Sequence, residues 1–415
     1  MADLNKQLDE LRQRIARLEH RALAGEEQSP GSLLFGRRAE AASRNPAEGR
    51  EVETESGRHW ELERSWPADY RHGLSDVGAL SEISPDILCA VSGEDLIDAH
   101  PRRWAFLDTE TTGLAGGSGT VAFLVGIGVI APDGFRLKQY FLRDPAEEAS
   151  MLSALAGDLA GFDVLITYNG KSFDVPLLET RFVMNRRKAP FSRLKHIDLL
   201  YGARRLWRLK LDSCRLQELE KRILGHERVG DVGGAFIPNL YFDYLRNGDA
   251  GPLEPVLFHN AIDILSLACL TAIVPQAIRE PGRLKHGEEL AGLARWFANE
   301  DRMEEAASLM QLALKKPMSD ALVWETLWRL GQIERKLGRH DAALANWSEL
   351  STVANPYQAQ ALERLAMHYE RREKNAALAL EFTLAALAIE RTPELEKREA
   401  RLTARLSRPG SGRLL

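Results

Sequence analysis

The chain has 415 residues, 44% hydrophobic and 28% charged, with 55 Lys+Arg against 60 Asp+Glu and a net charge of −5. This size and composition predict more than one folded core, and the acidic balance excludes a global electrostatic footprint for nucleic acid, so any such contact must come from a local basic surface. Cys89, Cys214 and Cys269 lie far apart with no CxxC pair, which argues against a disulfide framework or a zinc ribbon and fits a reducing, cytoplasmic setting.

The first residues are polar and charged, and no run of about 18 apolar residues occurs, so neither a secretory signal nor a membrane span is expected. Leu4, Leu8, Leu11, Ile15 and Leu18 alternate spacings of four and three, which predicts a short amphipathic helix within 1–23. At barely two heptads it suits docking or weak self-association better than an independent coiled coil. Residues 24–58 are rich in Gly, Glu, Arg, Ser and Ala and read as a mobile linker. Residues 24–100 together read as a linker and N-terminal extension, with Trp60, Trp66 and Tyr70 as its packing residues.

From 103 the pattern sharpens. Residues 103–108 (RWAFLD) form a short apolar run ending in an acid, and 121–131 (VAFLVGIGVIA) read as a buried strand. Pro132-Asp-Gly134 is a turn signal, and 135–142 return as a third strand, giving an antiparallel meander. A helix is predicted over 146–160, a strand over 163–167, a helix over 174–188 and a fifth strand near 195–197. Helices dominate 199–275. This βββαβαβ order predicts an α/β fold over 101–278, a mixed β-sheet flanked by helices.

Beyond 285 the pattern is helical only. Segments starting at Leu293, Leu330 and Leu365 lie 37 and 35 residues apart and are followed by small residues at Ala306, at Gly338 and Ala343, and at Ala377. Over 285–395 this resembles tetratricopeptide repeats, which stack helix pairs of about 34 residues and often bind a protein partner; a generic helical bundle is the alternative. Residues 396–415 read as a charged tail.

The chemistry concentrates in FLDTETTGLAGGSG, residues 106–119. Strand alternation puts Asp108 and Glu110 on one face, where two close carboxylates repel and a divalent cation removes the conflict. The glycines suggest a phosphate cradle instead, but no G-x-x-x-x-G-K-[ST] is present and no lysine follows Gly119 before Lys138, which leaves a nucleotide-dependent phosphotransferase unsupported.

Asp108-Thr-Glu-Thr-Thr-Gly113 resembles the first motif of the DnaQ-like (DEDD) 3′→5′ exonucleases, which have a ribonuclease-H-like fold. Tyr168-Asn-Gly-Lys-Ser-Phe-Asp174 matches their second motif, and His259-Asn-Ala-Ile-Asp263 is the candidate third. The three occur in order, and with the glycine loop they resemble the YprB-like branch in particular. The resemblance implies that Asp108, Glu110, Asp174 and Asp263 gather two Mg2+ or Mn2+ ions, which stabilise the attacking and leaving oxygens of a phosphodiester. It also implies nucleic-acid 3′ ends as substrate, DNA or RNA, with no membrane involved.

Asp174 also suits a helix N-cap, with Pro176 in the first turn. The histidine branch of this family places its catalytic histidine five residues before the last aspartate, and the tyrosine branch places its aromatic four before. Here histidine stands at four. Residues i and i+4 share a helix face, so His259 can overlook the site and orient or deprotonate the attacking water, or simply bond a carbonyl at a helix start. Asp198 is an auxiliary acid or the N-cap of the next helix.

Thr111, Gly113, Tyr168, Asn169 and Phe173 are the candidate substrate contacts, with Tyr168 and Phe173 either packing on a terminal nucleotide or filling the core. Residues 181–210 carry ten Lys and Arg and include Trp207; this band could track a phosphate backbone with Trp207 stacked on a base, or consist of solvated arginines around a core tryptophan. The leading expectation is a metal-dependent 3′→5′ exonuclease. The alternatives are a structure-dependent nuclease and a non-catalytic scaffold whose repeats bind a partner.

Overall fold

The computed structural model describes residues 45–46, 49–84, 88–92, 96, 99–113 and 119–407. The leucine-spaced segment 4–18 and the loop 114–118 lie outside them. Seven strands form the central sheet, in the order β1-β2-β7-β6-β5-β8-β9. They are β1 (Gly49–Thr54), β2 (Gly57–Pro67), β5 (Trp104–Thr111), β6 (Ala122–Ala131), β7 (Gly134–Phe141), β8 (Val164–Thr167) and β9 (Lys195–Asp198), while β3 (Arg71–His72) and β4 (Ser75–Asp76) make a small separate hairpin. From β1 to β5 every neighbour pairs antiparallel, and β5, β8 and β9 run parallel. The mixed sheet, its flanking helices and the helical region that follows agree with the architecture expected from the sequence.

Alternation along β5 builds two cores. Trp104 and Phe106 face one layer, with Val164 and Ile166 of β8, while Ala105 and Leu107 face the other, with Leu165. The first layer is covered by α3 (Leu199–Trp207) and α5 (Glu254–Arg279), the second by α1 (Glu148–Leu159), α2 (Asp174–Met184) and α4 (Ile237–Asn247). Continuing the parity, Asp108 and Glu110 belong to the α5 side and Thr109 to the α2 side.

α5 has 26 residues and is apolar and long enough to cross a membrane by length and composition, yet 72% of its apolar window is buried inside the fold. It is a core helix, and the third motif places His259, Asn260 and Asp263 on it. Its close approach to the sheet depends on glycine: a Cβ on Gly126 would lie 2.3 Å from Ile264 and 2.5 Å from Asn260 Oδ1. Gly126 pairs with Asp108 across β5 and β6, so this approach sits beside the first acid.

Two regions differ from expectation. Residues 49–58, read as mobile linker, form β1 and the start of β2, and the rest of β2 lies in the segment read as extension. Their Glu and Arg content is that of a charged edge strand, and only the run from His59 to Leu62 is buried. The stretch read as a charged tail continues as a helix, Pro393–Ser407, seated through Leu395, Arg398 and Leu402.

After the sheet come α6 (Gly287–Asn299), α7 (Met303–Ala313), α8 (Asp320–Lys336), α9 (His340–Ser351), α10 (Gln358–Arg371), α11 (Ala376–Ile389) and α12 (Pro393–Ser407). The three similar segments fall on α6, α8 and α10, and the small residues Ala306, Ala343 and Ala377 fall on α7, α9 and α11, so the spacing is that of helix pairs. Gly331 of α8 lets Trp347 of α9 close in, since a Cβ would meet the indole nitrogen at 2.4 Å. The region docks on the sheet domain through α3: Trp207 Nε1 and Lys210 Nζ donate to Glu289 Oε1 at 3.1 and 3.0 Å, and the Arg205 guanidinium stacks 3.8 Å from the Trp296 ring centroid.

Candidate active and metal site

The site forms where the end of β5 meets the start of α2 and the middle of α5. Asp108 and Glu110 leave β5 just before the strand irregularity between Glu110 and Thr111. On α5, Asn260 and Ile264 press on Gly126, and the neighbouring face carries His259 and Asp263. Asn260 is fully buried: its Nδ2 donates to Asp108 Oδ2 at 2.8 Å, and its Oδ1 accepts from Gln139 Nε2 at 2.9 Å. The same Gln139 nitrogen donates to the Leu257 carbonyl at 2.8 Å. A buried amide relay therefore fixes the orientation of the Asp108 carboxylate.

Asp174 reaches the site from the opposite layer. It is the first residue of α2 rather than its cap, and its Oδ1 accepts from Thr109 Oγ1 at 2.5 Å. Asp198, by contrast, takes up the capping role: it accepts from Leu200 N at 3.1 Å, from Asn169 N at 2.7 Å and from Lys171 N at 3.1 Å. It holds the turn of the second motif, in which Asn169 sits at φ 68°.

The electrostatics record the crowding. Burial first, then the charges of Asp263, Asp174 and Glu110, push the Asp108 carboxyl well above the usual carboxylate range, against the opposing hydrogen bond from Asn260. Burial, Asp263 and Asp174 do the same to Glu110, with Arg228 opposing. Burial raises Asp174 to about 6 in spite of the Thr109 hydrogen bond. Four carboxylates from three separate segments thus feel one another at one point.

Three further groups, which motif reading does not find, come from 216–236. Glu220 opens a single π-helical turn, Glu220–Leu224, ended by Gly225 at φ 65°, and the following loop carries Arg228 and Asp231. Arg228 Nη2 binds both Glu220 and Asp263, while Nη1 lies 3.2 Å from Asp231 Oδ2. Burial alone would lower the Arg228 pKa, but the Glu220 hydrogen bond and the Asp263 charge outweigh it and raise it. His259 Nδ1 lies 2.7 Å from Asp231 Oδ1, and its Nε2 lies 3.5 Å from Asp263 Oδ2 and 3.9 Å from Glu110 Oε1. The donor atoms of Glu110, His259 and Asp263 all fall within 4.8 Å of one another, a spacing that one cation can bridge. This mixed set of carboxylate oxygens and an imidazole nitrogen fits a divalent ion.

The candidate substrate residues divide. Phe173 is 57% exposed beside Asp174 and is open to a ligand. The Tyr168 hydroxyl donates to the Cys214 carbonyl at 2.5 Å, and the ring packs against the core, so Tyr168 fills structure. Thr111 Oγ1 donates to the Gly113 carbonyl at 2.9 Å, and Val121 N donates to Thr112 Oγ1 at 3.0 Å, closing the base of the glycine loop. Within the basic band, Trp207 is buried against α6, which corrects its reading as a stacking platform: the docking of the helical region takes its indole. Arg181 is spent on buried Glu148. Arg204 and Arg208 stay exposed and, with Lys210, line a cavity at 208–214.

Residues 105–274 match a family of the RNase_H superfamily. The Bacillus subtilis (strain 168) protein YprB is 32% identical over 358 residues, covering 83% of this chain and 86% of that one. The chain belongs to the YprB family. Its ribonuclease-H-like domain supports a nuclease activity on nucleic acid, and the acid and histidine cluster at the end of β5 is its candidate divalent-metal site. The matched span contains Asp108, Glu110, Asp174, His259 and Asp263, with Asn260 of the third motif, and also the unforeseen Arg228 and Asp231.

Proposed function

We propose that this chain is a metal-dependent 3′→5′ exonuclease of the DnaQ-like (DEDD) type, hydrolysing phosphodiester bonds at the 3′ ends of DNA or RNA in the cytoplasm. The observation that carries this reading is the convergence of Asp108, Glu110, Asp174 and Asp263, where burial and then mutual repulsion raise the first two well above the carboxylate range. Such a cluster needs divalent cations for all its members to be ionised at neutral pH. Two Mg2+ or Mn2+ ions held there would activate the attacking water and offset charge on the departing 3′ oxygen.

The protein's own groups supply the rest. Asn260 and Gln139 hold Asp108 in one orientation, and Thr109 does so for Asp174. His259 overlooks the reacting centre from the face of α5 that carries Asp263. Exposed Phe173 offers a sequence-tolerant surface for the terminal base, and Thr111, Gly113 and Asn169 line its approach. Exposed Arg204 and Arg208 offer charge to the strand behind it. The helix pairs over 285–395 are tetratricopeptide-like repeats that present a surface to a protein partner.

The test is a 5′-labelled series of single- and double-stranded DNA and RNA, incubated with Mg2+ or Mn2+ and either the wild type or Asp108→Ala. A ladder descending one nucleotide at a time, with wild type only, is the expected result. Internal cuts without a ladder would turn the reading to a structure-dependent nuclease. No cleavage by a folded, metal-loaded wild type would leave the scaffold.

A further inference from the structure

We infer that His259 is itself a metal ligand, held for that task by Asp231, and that the ion it shares with Glu110 and Asp263 is a first-row transition ion such as Mn2+ in preference to Mg2+. The inference rests on the metal-site reading above and adds the ligand set and the class of ion.

The two nitrogens of the ring have different partners. Asp231 Oδ1, at 2.7 Å from Nδ1, belongs to a carboxylate and can only accept, so Nδ1 carries the proton. The Arg228 guanidinium lies 3.3 Å from the same nitrogen, farther than the Asp231 oxygen. Nε2 is then the nitrogen left for a cation, and it faces Asp263 Oδ2 and Glu110 Oε1. At 3.5 and 3.9 Å these separations are longer than a normal hydrogen bond, and two acceptors facing a third have no proton to share.

The fold commits to this arrangement. His259 is 6% exposed, so bulk water does not satisfy its nitrogen. Arg228 takes one oxygen of Asp263, Oδ1, and leaves Oδ2 turned toward the histidine. The Nε2 distances of 3.5 Å to Asp263 Oδ2 and 3.9 Å to Glu110 Oε1 fit within the span of about 4.4 Å open to two ligands each about 2.0–2.2 Å from a shared ion. A carboxylate behind the outer nitrogen of a coordinating histidine is the recurrent support that fixes its tautomer and orientation. The four-residue interval from His259 to Asp263 is what turns both side chains to the same point.

Nitrogen in the set decides the class of ion. Mg2+ takes oxygen ligands and keeps much of its water, whereas first-row transition ions accept imidazole together with carboxylate. Arg228 and Asp231 are positioning residues in this scheme. Arg228 selects the free oxygen of Asp263, and Asp231 selects the free nitrogen of His259.

Electron spin-echo envelope modulation of Mn2+ bound to the full chain at pH 7.5 tests this directly. Wild type is expected to show coupling to a directly bonded 14N that becomes 15N when only histidine is labelled. His259→Gln loses that coupling, and Asp231→Asn weakens Mn2+ binding roughly 10- to 100-fold with a smaller effect on Mg2+. Should His259→Gln not fold, Glu110→Gln leaves the ring intact and is expected to weaken Mn2+ binding as a lost co-ligand. Bound Mn2+ with no histidine coupling in the wild type, or coupling that survives in folded His259→Gln, would overturn the ligand assignment and leave the metal reading standing. Failure of the wild type to bind Mn2+ would overturn both.

Discussion

The acid cluster and the helical region use charge in opposite ways. In the helical region the buried acids Glu289 and Glu334 have partners: Glu289 pairs with Lys210 at 3.0 Å, and Glu334, 1% exposed, accepts from Gln311 at 2.9 Å and pairs with Arg339 at 3.3 Å, while half-buried Glu370 pairs with Arg398 and Arg401. At the end of β5, Asp108, Glu110, Asp174, Asp263, Asp231 and Glu220 gather around a single guanidinium and a single imidazole. The first arrangement is complete within the fold. The second is left unbalanced by the fold alone, and a folded chain retains such an imbalance where it serves function.

Four perturbations sharpen this contrast, beginning with the largest effect. Asp108→Ala should lower cleavage of labelled substrate by roughly a thousandfold or more, as expected when a member of a unit that acts together is lost, while circular dichroism remains that of the wild type. Gly126→Val should be next: its side chain would strike Ile264 and Asn260, and overpacking there should cost about 1–3 kcal/mol in chemical denaturation and weaken metal binding as well. Neutralisation should then work in opposite directions in the two regions. Asp108→Asn keeps the Asn260 contact, relieves repulsion and should raise the melting temperature of metal-free protein, whereas Glu334→Gln should lower it through a loss of about 1 kcal/mol of stability.

The smallest effect is on pH dependence. A carboxyl raised in the folded state, such as Asp174 at about 6 against an ordinary 3.8, binds more protons folded than unfolded between those values. Stability of the metal-free protein should therefore fall as pH rises from about 4 through about 6. Mn2+ should reverse that trend, raising the melting temperature at pH 7.5 and leaving it unchanged at pH 4, where protons hold the ligand oxygens. Equal melting temperatures for metal-free protein at pH 5 and pH 7.5 would contradict the crowding.

Much of this was legible in the sequence for physical reasons. The apolar runs at 104–107, 122–131 and 164–167 have no solvent-facing alternative, so their strands and the meander follow directly. The acids stand out because DxE at the end of an apolar strand and Asp263 within an apolar helix are costly placements, and Asp174 because it completes the second motif at 168–174. β1 and β2 were hidden by their charge, since the edge strand β1 with Glu51 and Glu53 and its neighbour β2 with Arg58 and Glu63 look like linker until β7 is seen beside β2. Trp207 looked available because a single helix does not disclose what docks on it.

Arg228 and Asp231 lay in a Gly- and Val-containing loop, RVGDVGG, with no periodicity to mark it. Only the fold brings it over α5. Asn260 was readable as a polar residue in an apolar helix beside His259, but its partner Gln139 is 121 positions away in sequence, and the relay exists only once Gly126 admits the helix.

The central claim is that the crowded acids at the end of β5 are a cation site, and calorimetric titration of Mn2+ at pH 7.5 tests it most directly. Wild type should bind two ions, Asp108→Asn should lose at least one, and both should bind far more weakly at pH 5. Wild-type protein that is folded and takes up no Mn2+, or binding unchanged in Asp108→Asn, would contradict the account.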